Sequence, residues 1–201
     1  MRCDQKFPQT KSLRMTSFTV KTGCSSSFIA LHSACEALRS GDCDGAIVGG
    51  TNLILAPGMS IAMSEQGIVS PEGRCKTFDA HANGYGRGEA INAVFIKRLS
   101  DAVRDGNPIR GVIRGTGSNC DGKSASIASP SSEAHEALIR RTYARSGLRQ
   151  EMLQTPYVEA HGTGTYVGDP LEASAVARVF SDESTTYIGS VSQTCNNLIS
   201  T

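Results

Sequence analysis

A chain of 201 residues with 20 Lys and Arg, 19 Asp and Glu and a net charge of +1 gives no electrostatic reason to expect a nucleic acid or an anionic membrane as partner. A hydrophobic content of 39% lies above that of disordered chains, the length suffices for a domain with a core, and no apolar run is long enough to span a bilayer. The seven cysteines are odd in number and form no C-x-x-C pair, so neither a zinc knuckle nor a thioredoxin site is indicated, and reduced thiols in a cytoplasmic protein are the simplest reading.

Along the chain, residues 1–19 are an unassigned polar lead-in without the apolar stretch of a secretory signal. Ser25 to Ser40 reads as a helix, with Phe28, Leu31, Cys35 and Leu38 at helical spacing and Gly41 as its stop. Gly45–Asn52 reads as a buried strand, Ser70–Ala90 as a long polar loop, and Ile91–Leu99 as a strand by its β-branched content. The next stretch, SDAVRDG, is a short helix or turn, and Ile109–Asn119 alternates like a strand. Ser132–Arg145 is a helix with Ser132 as N-cap and Gly147 behind it. Thr155–Thr165 is a strand running into a flexible glycine turn. Asp169–Phe180 is a helix with Asp as N-cap and Pro170 in first position, and Thr185–Ser192 closes as a strand. Strands alternating with helices imply α/β layers, with no repeat and no dividing linker.

Cys24 stands between Gly23 and three serines at the start of the first helix. The first N–H groups of a helix lack intrahelical partners and its dipole is positive there, so a thiolate is favoured over a thiol. The same N–H groups suit an oxyanion. The alternative is a structural cysteine, and Cys35 and Cys43 fit that role better than Cys24. Among the four histidines, His32 shares the Cys24 helix, His81 lies in the long loop and His135 on a polar helix face. His161 ends a strand beside glycines, where an imidazole can point into a cleft. GYGRGE, at Gly84–Glu89, lacks the spacing and lysine of a phosphate loop. Glu159 and Asp169 read as supports of the backbone around His161, and Arg140 and Arg141 as a solvated helix face.

Four segments in order carry a family resemblance: GCSSSFIALHSACEALRSGDCDGAIVGGTN, SPEGRCKTFDAHANGYGRGEA, GSNCDGKSASIASPSSEAHEALIRR and HGTGTYVGDPLEASAV. Together they resemble a beta-ketoacyl synthase (ketosynthase) domain of the fungal iterative polyketide synthases, over residues 20–191. The resemblance implies a thiolase-like fold, an α/β/α/β/α sandwich, present here as the end of its N-terminal half and the start of its C-terminal half. It implies Cys24 as the acyl-accepting nucleophile. It implies His161 as the first of two catalytic histidines, and Thr163 and Thr165 beside the phosphopantetheine arm of a carrier protein. The substrates it implies are acyl and malonyl thioesters on that carrier, with no metal and no tightly bound cofactor. The partners are an acyl carrier protein or an intact polyketide synthase, with a homodimer by family.

The sequence departs from the family pattern in three places. Lys21 replaces an acidic residue and Gly23 an alanine before the nucleophile. In GSVSQTCNNLIST, Ser192 stands where the family has a lysine and Asn197 where it has the second histidine, so residues 192–201 form a divergent tail. Asn197 can donate a hydrogen bond but carries no imidazolium charge. Glu172 is thereby expected to lose its lysine partner. The third departure is size, with strands before Cys24 and a later glycine-rich loop missing. A truncated gene, a pseudogene or a mispredicted splice boundary each gives that pattern. A parallel sheet needs cover on both faces, so the isolated chain is expected to be marginally stable or aggregation-prone. Impaired decarboxylative condensation in secondary metabolism is the expected activity. The alternatives are a non-catalytic module that docks to an intact synthase, and a thiolase acting on short acyl-CoA, which the HGTGT and GDPLEA wording disfavours.

Overall fold

The computed structural model describes residues 17–124, 129–180 and 185–192. Two compact units divide the chain: residues 1–50 with 92–112, and residues 51–91 with 113–201. The backbone passes between them more than once, which is why no single linker is visible in the sequence.

The first unit is built on helix α1 (Ser26–Ser40), strand β1 (Gly45–Asn52), strand β2 (Ala90–Lys97) and helix α3 (Leu99–Arg104), while α2 (Gly58–Glu65) lies between the strands in sequence and belongs to the second unit. β1 and β2 form a two-stranded sheet. β1, expected as a buried strand, buries only Val48. Cys35 and Leu38 of α1 are buried, as their spacing predicts, while Leu31 is half-buried. Phe28 departs from that stripe and is 73% exposed. Gly41 ends α1 in the left-handed region at φ 81°, a conformation that costs glycine little. Arg98 then ties the helix end to the sheet. Its Nη1 donates to the carbonyls of Leu38 at 3.2 Å and Cys43 at 3.0 Å, while Nη2 reaches Asp44 at 2.5 Å and Nε reaches Asp101 at 2.7 Å. Lys97, Arg104 and Asp105 extend this ionic network. Ile47 on β1 and Phe95 on β2 remain exposed.

The second unit carries α4 (Ser132–Arg145), a short 3₁₀ turn (Glu151–Gln154), β3 (Tyr157–Glu159), α5 (Gly168–Phe180) and β4 (Tyr187–Gly189). β3 and β4 pair in parallel, with Val158 opposite Ile188. Val176, Val179 and Phe180 of α5 form the core, packed against Ile139, Tyr143, Met152 and Val158. The Tyr143 and Phe180 rings meet edge to face at 6.0 Å.

Several expected boundaries shift for local reasons. The N-cap of α4 is Ser131, whose hydroxyl accepts from Ala134 N at 3.1 Å. Ser132 is instead buried and bonded to Arg178. The alternating stretch 109–119 was expected to be a strand and forms none; its last two residues are tied to α4. Arg141 donates to Ser118 O at 2.6 Å and Asn119 donates to Ala134 O at 2.9 Å. α2, which no sequence signal marked, is a short helix without buried residues.

Candidate active site

Cys24 lies in the first unit, two residues ahead of α1, and is exposed. The expected buried structural role belongs instead to Cys35, whose thiol burial pushes upward in pKa. The turn that presents Cys24 is closed by hydroxyls. Ser26 Oγ donates to Gly23 O at 2.7 Å, Thr22 N donates to Ser26 Oγ at 2.9 Å, and Ser25 Oγ donates to Thr22 O at 2.9 Å. Gly23 takes φ 70°, which turns the chain back so that Ser26 N reaches Gly23 O at 3.2 Å. The serines thus fix the turn as well as leaving it uncrowded. Ser27 is small for another reason: its Cβ lies 3.1 Å from where a Cβ on Gly50 would stand, so helix and strand touch there. Lys21 is exposed.

His161 lies in the second unit, two residues past β3, and is exposed. Its backbone is held from both sides. Glu172 of α5 accepts His161 N through Oε1 at 2.7 Å and Gly162 N through Oε2 at 2.9 Å. The carbonyl of His161 accepts from Ser190 Oγ at 3.0 Å and from Ser192 Oγ at 3.3 Å. Glu172 therefore keeps a role that the expected loss of a lysine partner did not foresee: two amide donors satisfy its carboxylate.

The turn after His161 is fixed rather than flexible. Gly162 O accepts from Thr77 Oγ1 at 2.5 Å, and Gly164 O accepts from Gly84 N at 3.0 Å. Buried Asp169 accepts Gly164 N at 3.1 Å, Thr165 N at 3.2 Å and, through Oδ2, Phe78 N at 2.9 Å. Asp169 was expected both to cap its own helix and to support the backbone around His161, and these bonds give it the second role. α5 begins at Gly168, one residue ahead of Asp169, and Thr165 Oγ1 accepts Gly168 N at 3.2 Å. Thr163 and Thr165 are brought together, with hydroxyls 3.4 Å apart. Phe78 takes φ 56°, unusual outside glycine, and Asp169 is the group that holds its amide. Glu159 supports the neighbouring strand, accepting Val191 N at 2.5 Å.

The loop segment GYGRGE folds on Cys75: Gly86 N donates to Cys75 Sγ at 3.2 Å, and a Cβ on Gly86 would stand 2.3 Å from Gly73 O. Its glycines serve close backbone approach, in keeping with rejection of a phosphate loop. His32 and His135 are half-buried on helices, and the His81 side chain is exposed beside Asp79. Among the described residues no three His, Cys, Asp or Glu side chains gather as a metal site. No helix among them is long and apolar enough to cross a membrane. Cys3, Cys195 and Asn197 lie outside the described residues.

Known proteins resemble this chain in sequence and fold. The family model of the beta-ketoacyl synthase N-terminal domain matches residues 10–102, and that of the beta-ketoacyl synthase C-terminal domain matches residues 110–196. The chain belongs to the beta-ketoacyl synthase family. Among its relatives, the highly reducing polyketide synthase gloL of Glarea lozoyensis is 65% identical over 179 residues, and the highly reducing polyketide synthase FUM1 of Gibberella moniliformis is 62% identical over 181 residues. Each alignment covers 89% of this chain, which spans 7% of the length of those synthases. The solved ketosynthase from module 6 of the bacillaene synthase of Bacillus subtilis superimposes with a TM-score of 0.81 at 42% identity, over 85% of this chain and 31% of that one. An oxazolomycin ketosynthase domain of Streptomyces albus gives a TM-score of 0.78 at 38% identity over the same shares. The ketosynthase fold is thus thiolase-like, and the chain covers part of that domain. The polyketide-synthase resemblance carried by the four motifs holds.

Proposed function

We propose that this ketosynthase chain carries the acyl-accepting cysteine and one of the polar centres of a polyketide condensing site. The match of both family models, in order, to segments bearing Cys24 and His161 is the observation that carries this reading. Cys24 Sγ attacks the carbonyl of an acyl thioester held on a phosphopantetheine arm. A new C–S bond forms, the old one breaks, and the pantetheine sulfur leaves with the proton given up by Cys24. Backbone N–H groups at the α1 N-terminus stabilise the oxyanion. His161 binds the carbonyl of a malonyl thioester, which loses carbon dioxide. The resulting enolate attacks the acyl carbonyl, and Cys24 thiolate leaves. Thr163 and Thr165 flank the arm.

The first step needs chiefly the thiolate and the oxyanion donors. The second needs charge stabilisation that Ser192 and Asn197 supply less well than a lysine and a histidine, so condensation is slowed by about 10²–10⁴-fold. Incubation with acyl thioesters and mass detection tests the reading: an acyl adduct on Cys24, absent in Cys24→Ser, is expected. No adduct with any acyl thioester rejects it.

Ser192 favours a second reading, a module that docks on an intact synthase without turnover. Its hydroxyl is spent on the His161 carbonyl. Co-purification with a synthase that keeps its output when Cys24→Ala is introduced here would select this reading.

A further inference from the structure

Outside the acyl-transfer centres, the C-terminal end of α4 carries a dense positive charge. Arg140, Arg141 and Arg145 lie on the helix, and Arg149 follows four residues beyond it. With Ala144 and Met152 these four arginines line an open groove of about 770 Å³ in the second unit. Among the described residues, no acidic side chain belongs to the lining.

Two ordinary explanations cover only part of this. A cation in the last turn of a helix complements its dipole, which accounts for Arg145. A solvated helix face accounts for side chains that reach into water without fixed geometry. Arg140 and Arg141 are fixed. Arg140 Nε donates to Glu136 at 2.9 Å and its Nη2 to the carbonyl of Arg178 at 2.6 Å. Arg141 Nη2 donates to the carbonyl of Ser118 at 2.6 Å. A guanidinium has five N–H donors in a rigid fork, so these anchors orient each head and leave donors for a ligand. Ordering two side chains in advance removes an entropic cost that a ligand otherwise meets on binding. The groove floor is anchored as well, since Met152 packs on the Val176, Val179 and Phe180 core.

We infer that this groove is a binding site for a phosphorylated small molecule bearing at least two negative charges, of the diphosphate class. Guanidinium forks match phosphate oxygens in bidentate geometry. The volume falls within the range of small-molecule sites, and Ala144 and Met152 give an apolar surface for the ligand's uncharged body. The near-neutral chain as a whole argues against nucleic acid, and the small set of six lining residues favours a compact ligand over the broad face of an acidic protein. The site is independent of the acyl-transfer reading.

Calorimetric titration of the full chain tests it with four probes: pyrophosphate, coenzyme A, uncharged pantetheine and a polyglutamate peptide. Pyrophosphate and coenzyme A are expected to bind, with affinity falling as salt rises, and pantetheine is not. Coenzyme A alone places the diphosphate of a nucleotide in the groove; pyrophosphate alone places a free phosphate there. The double variant Arg141→Gln, Arg149→Gln is expected to lose at least tenfold in affinity, with ligand-free melting little changed. Should that variant fail to fold, phenylglyoxal labelling of the native chain decides the matter instead: pyrophosphate protects Arg141 and Arg149 from modification. Absence of binding by both phosphorylated probes, equal binding by the folded variant, unprotected arginines, pantetheine binding as tight as coenzyme A, or tighter binding of the peptide each overturns the inference.

Discussion

The Glu172 carboxylate grips the backbone at His161, with Oε1 2.7 Å from the His161 amide nitrogen and Oε2 2.9 Å from that of Gly162. One side chain on α5 thereby sets where the strand-end histidine begins its turn. Hydrogen bonds to a charged group contribute about 1.5–3 kcal/mol each. With two such bonds, Glu172→Ala is therefore expected to cost about 3 kcal/mol or more, and Glu172→Gln, which keeps one acceptor, about half as much. Urea denaturation measures both. Equal stability of all three proteins would show that the amides find other partners.

Gly164 gives the turn its second constraint. At φ 77° its missing side chain would stand 2.5 Å from the Lys76 nitrogen, a backbone atom that cannot swing away. Gly164→Ala is expected to destabilise by about 2–4 kcal/mol through strain and clash together. Gly88, where an added Cβ meets nothing within 4 Å, is the control, and Gly88→Ala is expected to stay within about 0.5 kcal/mol. Thermal melting of the two variants side by side tests the contrast.

The ionic network of the first unit makes its stability acid-sensitive. Hydrogen bonds from Arg104 and then Lys97 hold the Asp105 carboxyl at about 2, below its ordinary 3.8, and Arg98 lowers Asp101 in the same direction. A carboxyl with a lower pKa in the folded state contributes stability that is present above its unfolded pKa and lost as pH falls through the folded one. The melting temperature is expected to fall between about pH 4 and pH 2, and less steeply in Asp105→Asn. A flat profile across that window would remove the network from the stability of the fold.

Cysteine reactivity should follow exposure. Cys24 and Cys120 are exposed, whereas Cys35 is buried with its thiol pKa raised by that burial. Timed iodoacetamide labelling read by mass spectrometry is expected to modify Cys24 and Cys120 well before Cys35 in the native chain, and all at similar rates in urea. Early native labelling of Cys35 would mean that α1 opens easily.

The exposed apolar residues of the β1–β2 sheet have a solution consequence. Ile47 is 77% exposed and Phe95 65%. Apolar strand surface of this kind promotes association. The free chain is expected to aggregate with rising concentration, and Ile47→Thr to reduce that without lowering the melting temperature. Light scattering follows the first effect and calorimetry the second. A monodisperse monomer at high concentration would contradict it.

Sequence alone determined the helices and strands that carry strong period or punctuation. α1 with its Gly41 stop, β1, the long loop before β2, and α4 followed by Gly147 all lie within a residue or two of where their patterns place them. It also determined the family, because four long segments match in order. These features depend on neighbours along the chain, and their signal is local. Tertiary structure alone decided what the polar residues at the turns do. Asp169, read from sequence both as a cap of α5 and as a support of the backbone near His161, takes the second role and reaches as far as Phe78. Glu172, expected to lose a lysine partner, holds the His161 and Gly162 amides, and Ser118 and Asn119 bond to α4 where a strand was expected. A carboxylate or an alternating stretch satisfies its polar atoms with whichever donor the folded chain brings within about 3 Å, and that donor can lie about ninety residues away, as Phe78 does from Asp169.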